Sequence, residues 1–239
     1  MSIEISDSIV GFMQYLLRSN ASTITLLSCS TRDAFIEELC ANTALEPEQP
    51  RSPGPEDVQD PSEEAIADDE GESSIENRHW LLSNTIDLIS RSQRVKLVFC
   101  PSVEHLRAYL GGRFRNRKNL HEQGANGNLY QGTPMLAIVN MVSIHSSTAE
   151  FSAQGISRTS ALAVEIAARE GVELVLCECK SVHGGGTERG SRVWDAQVPL
   201  LSSMVKSMGG EPSPNVKTIQ VKQVMKKWFR FDGANEEEM

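Results

Sequence analysis

No apolar run in this chain approaches the ~20 residues that a helix needs to cross a bilayer, so the sequence reads as one that does not span a membrane. Cysteine is limited to Cys29, Cys40, Cys100, Cys177 and Cys179. All five stand at or near the ends of apolar runs, and none has the spacing of a zinc site. No cationic-then-apolar leader opens the sequence, and the expectation is an intracellular chain with reduced thiols. Cys177 and Cys179 alternate along an expected strand and so point to one side; without a further Cys or His pair they read as packing residues. A Gly-x-Ser-x-Gly nucleophile elbow is missing too. Ser152, Ser157, His145 and Glu150 are of hydrolase types but do not read as a triad.

Positive charge is nearly absent from one stretch. Between Glu46 and Glu76 stand twelve carboxylates and a single cation, Arg51, in a Pro- and Ser-rich segment with almost nothing to bury, which predicts a disordered acidic insert. The formal charge of -9 originates there: the rest of the chain holds 22 basic and 20 acidic residues, a net of +2. Setting aside Glu236, Glu237 and Glu238 as well leaves +5. Such a mildly basic body is compatible with a nucleic-acid partner. With 39% hydrophobic residues, the length suits one domain of ~150 to 200 residues with a real core. Residues 1–45 then form the first part of that domain, 46–76 the insert, 77–231 the remainder and 232–239 an acidic tail.

Apolar positions at Ile5, Ile9, Phe12, Met13, Leu16 and Leu17 predict a helix over Ile3–Arg18. STITLLS, Ser22–Ser28, reads as the first strand, followed by a helix from Thr31, a candidate cap, to Ala41. After the insert, His79–Gln93 is helical, Val95–Cys100 is the second strand, and Ser102 caps a helix to about Leu110. Met135–Val142 is the third strand, Ile156–Glu170 a helix stopped by Gly171, and Val172–Cys177 the fourth strand. An apolar strand at Val198–Leu201 and two late β segments, Lys217–Val224 and Lys227–Phe231, expected as a hairpin or sheet edge, complete the pattern. Strands that alternate with helices and consist of continuous apolar runs predict an α/β fold, a mostly parallel central sheet with helices on both faces.

From Met135 to Cys177 the order of apolar strand, His/Ser/Thr turn, SAQGISRTSALAVEIAAREG and second strand resembles RecA-like recombinases and their eukaryotic paralogues. TITLLSCSTRDAFIEELC and VKLVFCPSVEHLRAYL fall where that family has its phosphate-loop strand and its second strand, each with the following helix. The resemblance implies a RecA-like fold over most of the chain outside the insert. It also exposes two departures. A phosphate loop needs G-x-x-x-x-G-K-[ST] to cradle phosphates and hold magnesium, whereas Leu27–Phe35, LSCSTRDAF, has neither glycine nor lysine. Arg32 there could touch a phosphate, but Asp33 opposes it. Where the family ends a strand with a magnesium-binding aspartate, this chain has Asn140, which lacks the anionic oxygen a hard cation prefers. Arg32 and Asn140 thus mark a degenerate nucleotide site. The implied protein is a scaffold with no catalysis, no cofactor and no metal, like the noncatalytic recombinase paralogues of the Shu type or the RecA-like ring subunits of Elongator.

Several basic residues are candidate nucleic-acid contacts. Arg113, Arg115, Arg117 and Lys118 crowd Gly111–Gln131, read as a mobile basic loop with Phe114 and Tyr130 as stacking platforms; cations this dense screen several phosphates. Docking of that patch on an acidic partner, or on the chain's own acidic insert, is the competing use. Arg189 and Arg192 lie in a glycine-rich loop after the fourth strand, where RecA-like proteins place DNA-contacting loops, and suit phosphate contact without base reading. The bland alternative is a surface loop whose glycines only permit turning. Lys226 and Lys227 stand beside Trp228, Phe229 and Phe231, aromatics that in a terminal strand more often belong to a core or interface. The expected function is a noncatalytic RecA-like subunit of a nuclear complex for homologous recombination or DNA repair. Its partners would be proteins of a RecA-like or recombinase complex, with DNA or RNA held by the basic loops. An Elongator-type tRNA-modification subunit, then cytoplasmic, and a degenerate NTPase are the alternatives.

Overall fold

A computed structural model describes residues 1–45, 79–82, 85–115, 132–180, 190–201 and 217–232 of the protein. The strands in chain order are β1 (Ser2–Glu4), β2 (Ile24–Ser28), β3 (Val95–Phe99), β4 (Met135–Val139), β5 (Glu173–Cys177), β6 (Gln197–Pro199), β7 (Thr218–Gln220) and β8 (Arg230–Asp232). Six of them form a sheet in the order β3-β2-β4-β5-β1-β8, parallel at all five pairings, and β6 and β7 form a separate antiparallel pair. The central strands ITLLS, MLAIV and ELVLC are mostly apolar rather than alternating because helices cover both of their faces.

Helices α1 (Ile9–Arg18), α2 (Arg32–Leu45) and α3 (Ile86–Gln93) lie on one face, and α4 (Val103–Ala108), α5 (Ala153–Glu170) and α6 (Val221–Met225) on the other. Connection handedness dictates this division. The crossovers β1 to β2 and β2 to β3 step one way along the sheet and the later ones step back, so right-handed connections must use opposite faces. Two buried clusters follow: Ile9, Phe12, Leu16 and Phe35 pack on Leu26, Ala137 and Val175, and Leu106, Ile156, Ile166 and Val224 on Leu27, Ile138 and Leu176. Neighbouring strands send their chains to opposite faces at three places, between β3 and β2, between β2 and β4 and between β5 and β1. In open parallel sheets the crevices at the carboxyl ends of such strands are where ligands bind.

The chain departs from its pattern in definite ways. Only Ile9–Arg18 of the expected first helix is helical; Ser2–Glu4 inserts as a strand between β5 and β8 with Ile3 fully buried. Three residues are too few for a strand period to compete with the helical one behind them, and the boundary is Ser8, whose hydroxyl accepts from Val10 and Gly11 N–H. STITLLS is therefore the second strand. Lys217–Val224 is not one β segment: Val221, Val224 and Met225 are buried at helical spacing in α6, and only Thr218–Gln220 is extended. Arg230–Asp232 does not form a hairpin with it but joins the main sheet parallel to β1. The third strand stops at Val139, because Asn140 turns the backbone into the left-handed region at φ 62°. Gly171 ends α5 at φ 61°, as its position predicts. Phe114 is a correction of chemistry: at 4% exposure it is a core residue tilted against Tyr109, leaving no ring face for a base. The acidic insert at 46–76 and the tail from 233 lie outside the described residues.

Candidate functional site at the carboxyl end of the sheet

Two strand-to-helix turns occupy the crevices at the carboxyl end. After β2, Ser28 and Ser30 hydroxyls lie 2.8 Å apart, Thr31 caps α2 by accepting from Ala34 N–H at 3.2 Å, and Arg32 opens the helix exposed to solvent. After β1, the turn Ile5-Ser6-Asp7-Ser8 leads into α1. Neither turn holds a glycine or a lysine. From β2, α2 passes across to the start of α1, where Ser8 Oγ donates to Asn42 Oδ1 at 3.4 Å and Phe35 and Leu39 join the α1 core. The helix roofs the carboxyl end on that face.

Beneath it, the polar groups are consumed internally. Asn140 follows β4 and its Oδ1 accepts from Cys179 N–H at 2.8 Å, tying the end of β4 to that of β5. A carboxamide tolerates the left-handed backbone this requires. Glu178, 3% exposed, accepts from Val142 N–H at 2.6 Å, Ser143 N–H at 3.2 Å and Ser143 Oγ at 2.6 Å. A buried carboxylate is tolerable only with such donors. The two open N–H groups of the turn after β4 therefore face a protein anion. Asp7 and Lys180 pair across the ends of β1 and β5, and Lys180 N–H also donates to Asp7 C=O at 2.8 Å.

The sulfurs here are buried. Cys177 and Cys179 do point to one side, with Sγ atoms 3.6 Å apart, and Cys177 Sγ lies 3.4 Å from Ser6 C=O. The hydrogen bond to Cys177, and after it burial, push the Cys179 thiol well above its usual range. Burial, then the Glu178 charge and Cys100, do the same to Cys29. Protonated thiols are poor nucleophiles and poor metal ligands, and among the described residues no group of three His, Cys, Asp or Glu is placed to hold a metal. Three of the hydrolase-type residues, Ser152, His145 and Glu150, are held in contacts within the fold. Ser152 caps α5, and His145 bridges Met141 C=O at 2.9 Å and Thr159 Oγ1 at 3.0 Å. Arg107 donates to that hydroxyl and to Gly155 C=O while pairing with Glu150 at 2.5 Å, which holds the Glu150 carboxyl below its usual range.

The basic candidates divide between the two ends of the sheet. α4 runs opposite to the strands, so it and the π-helical turn Tyr109–Arg113 that prolongs it deliver Arg113 and Arg115 to the amino end. Arg113 is exposed there, and Arg115 is exposed beside Glu170 at 3.8 Å, the residue that ends α5. Lys226 and Lys227 are exposed at the same end, between α6 and β8, where Arg230 N–H donates to Met1 C=O. Arg192 is exposed on the 3-10 segment Gly190–Asp195, whose first residue abuts Lys180 at the carboxyl end. Arg117, Lys118, Tyr130 and Arg189 lie outside the described residues. Phe229 is core, and Trp228 and Phe231 pack against it, Phe231 edge-on to Trp194 at 5.3 Å. Sequence reasoning missed Glu178, for which the signal was present: a lone acid between two buried cysteines at a strand end must be neutralised or hydrogen-bonded.

Comparison with known proteins adds one match: the profile of the SPAC22G7.03-like family covers residues 54–231. No curated protein and no solved structure matches the chain.

Proposed function

The chain belongs to the SPAC22G7.03-like family, and we propose that it is a noncatalytic, RecA-like subunit of a homologous-recombination or DNA-repair complex, holding a nucleic-acid backbone through basic residues at the amino end of its sheet. The observation that supports this reading is the self-filled crevice. The Glu178 carboxylate already takes the Val142 and Ser143 N–H groups, and Asn140 is committed to Cys179. A phosphate approaching this turn would meet a buried negative charge, and a magnesium ion would find the carboxamide where an anionic oxygen is needed. With that end sealed, binding falls to the surface, where Arg113, Arg115, Lys226 and Lys227 share one end of the sheet. Exposed lysine and arginine attract phosphates through counterion release and need no base contact.

The test is fluorescence anisotropy of a labelled single-stranded oligonucleotide titrated with the full chain at a series of salt concentrations. Wild type binds with an affinity that falls steeply with salt. Arg113→Glu combined with Lys226→Glu and Lys227→Glu weakens binding by ~10-fold or more and lowers the log–log salt slope by about 0.7 per lost contact. No binding at low salt, or an unchanged slope in the triple variant, defeats the proposal. Affinity purification separates its two settings: a recombinase partner supports repair, and tRNA-modification subunits support an Elongator-type assembly.

A further inference from the structure

Among the described residues β3 is an edge strand, and α3 beside it buries none of its eight residues. Ile86 is 87% exposed, Ile89 48% and Leu97 40%. A helix this short has little stability of its own, and here it presents isoleucines one turn apart next to an open sheet edge. Hydrogen bonding fixes which groups face out. Arg94 C=O and Cys100 N–H bond to β2, so by alternation the N–H and C=O of Val95, Leu97 and Phe99 point away from the sheet.

We propose that this face is a homodimer interface in which β3 of two copies pair antiparallel about a two-fold axis at Leu97. The occupant follows from self-complementarity. Antiparallel strands exchange both hydrogen bonds between facing residues at every second position. Centring the axis on Leu97 sets Leu97 against Leu97 of the second copy and Val95 against its Phe99, which uses all the outward groups. The axis sets Lys96 against Val98 of the second copy, so no like charges meet. Lys96, the residue that would guard such an edge, faces the other side of the sheet with its ammonium 5.9 Å from the Tyr109 ring centre. Leu97 lies on the α3 side, where the two α3 helices would bring Ile86 and Ile89 against their counterparts. The interface is isologous and closed.

Sedimentation equilibrium of the full chain over a concentration series is the test. A monomer–dimer equilibrium is expected. Leu97→Lys and Ile86→Glu, both at exposed positions, each raise its dissociation constant ~10-fold or more without lowering the unfolding temperature. Leu201→Glu, at an exposed position on the far side of the fold, leaves it unchanged. A chain monomeric up to about 1 mM, the weak limit of specific association, overturns the inference. So does a dimer that survives Leu97→Lys, or an edge that pairs only with an extended segment of another protein.

Discussion

Replacing Glu178 with alanine strips a buried turn of its acceptor. Val142 N–H, Ser143 N–H and the Ser143 hydroxyl all lose their partner at a side chain 3% exposed. Hydrogen bonds to a charged group contribute ~1.5–3 kcal/mol each, and a buried donor left unpaired costs about 1–3 kcal/mol. The three share one carboxylate and do not add, so a loss of about 3–5 kcal/mol is expected, a large part of the ~5–15 kcal/mol that holds a domain together. Glu178→Gln keeps an acceptor but turns an amide N–H towards a donor, and falls between wild type and alanine. With a urea dependence of ~2–3 kcal/mol per molar, the alanine variant unfolds about 1–2.5 M earlier. Ser143→Ala, which removes only the hydroxyl, costs ~1 kcal/mol, and in the double variant its effect largely disappears. Urea denaturation followed by circular dichroism reads all four proteins. A midpoint for Glu178→Ala within about 0.3 M of wild type, or full additivity with Ser143→Ala, would falsify the picture of a sealed carboxylate.

Asn140 separates backbone from side chain. Glycine at 140 keeps φ 62° and loses only the bond to Cys179 N–H, whereas alanine also pays for the left-handed backbone. Asn140→Ala is therefore less stable than Asn140→Gly by ~1 kcal/mol, and equal midpoints in the same urea assay would show that the backbone is not held there. His145 carries a pH dependence. Burial foremost, and the nearby Arg107 charge, hold its imidazole below the ordinary range, while Met141 C=O and the charges of Glu150 and Glu104 act against them. The folded state thus resists a proton that the unfolded state accepts. Its contribution is complete above the unfolded value of ~6.5 and is lost as pH falls through it towards the depressed folded value. Melting temperature should decline between pH 7 and 5, and His145→Asn should flatten that decline; an equal decline in the variant would assign it elsewhere.

The layered fold was legible because the central strands are mostly apolar and the helices between them are capped where Thr31, Ser102 and Gly171 stand, although the Ser152 cap that starts α5 three residues before the expected Ile156 was not read. Short elements were not. Ser2–Glu4 is below the length at which a period can be seen, and the β-branched Lys217–Val224 stretch divides because tertiary burial of Val221, Val224 and Met225 overrides local propensity. That Asn140 offers no anionic oxygen was readable, yet what it does depends on Cys179, 39 positions away. The role of Glu178 depends on Val142 and Ser143, 36 and 35 positions away. Likewise the basic residues could be found by composition, but only helix direction shows that Arg113, Arg115, Lys226 and Lys227 share an end and Arg192 does not.

Calorimetric titration of the full chain with ATP and magnesium tests the central claim most directly. With Glu178 holding the turn after β4 and a carboxamide at 140, no saturable heat is expected, and Asn140→Asp alone does not create any. Magnesium-dependent, saturable ATP binding by the wild-type chain, with or without turnover, would contradict a sealed crevice and return the protein to the nucleotide-using class.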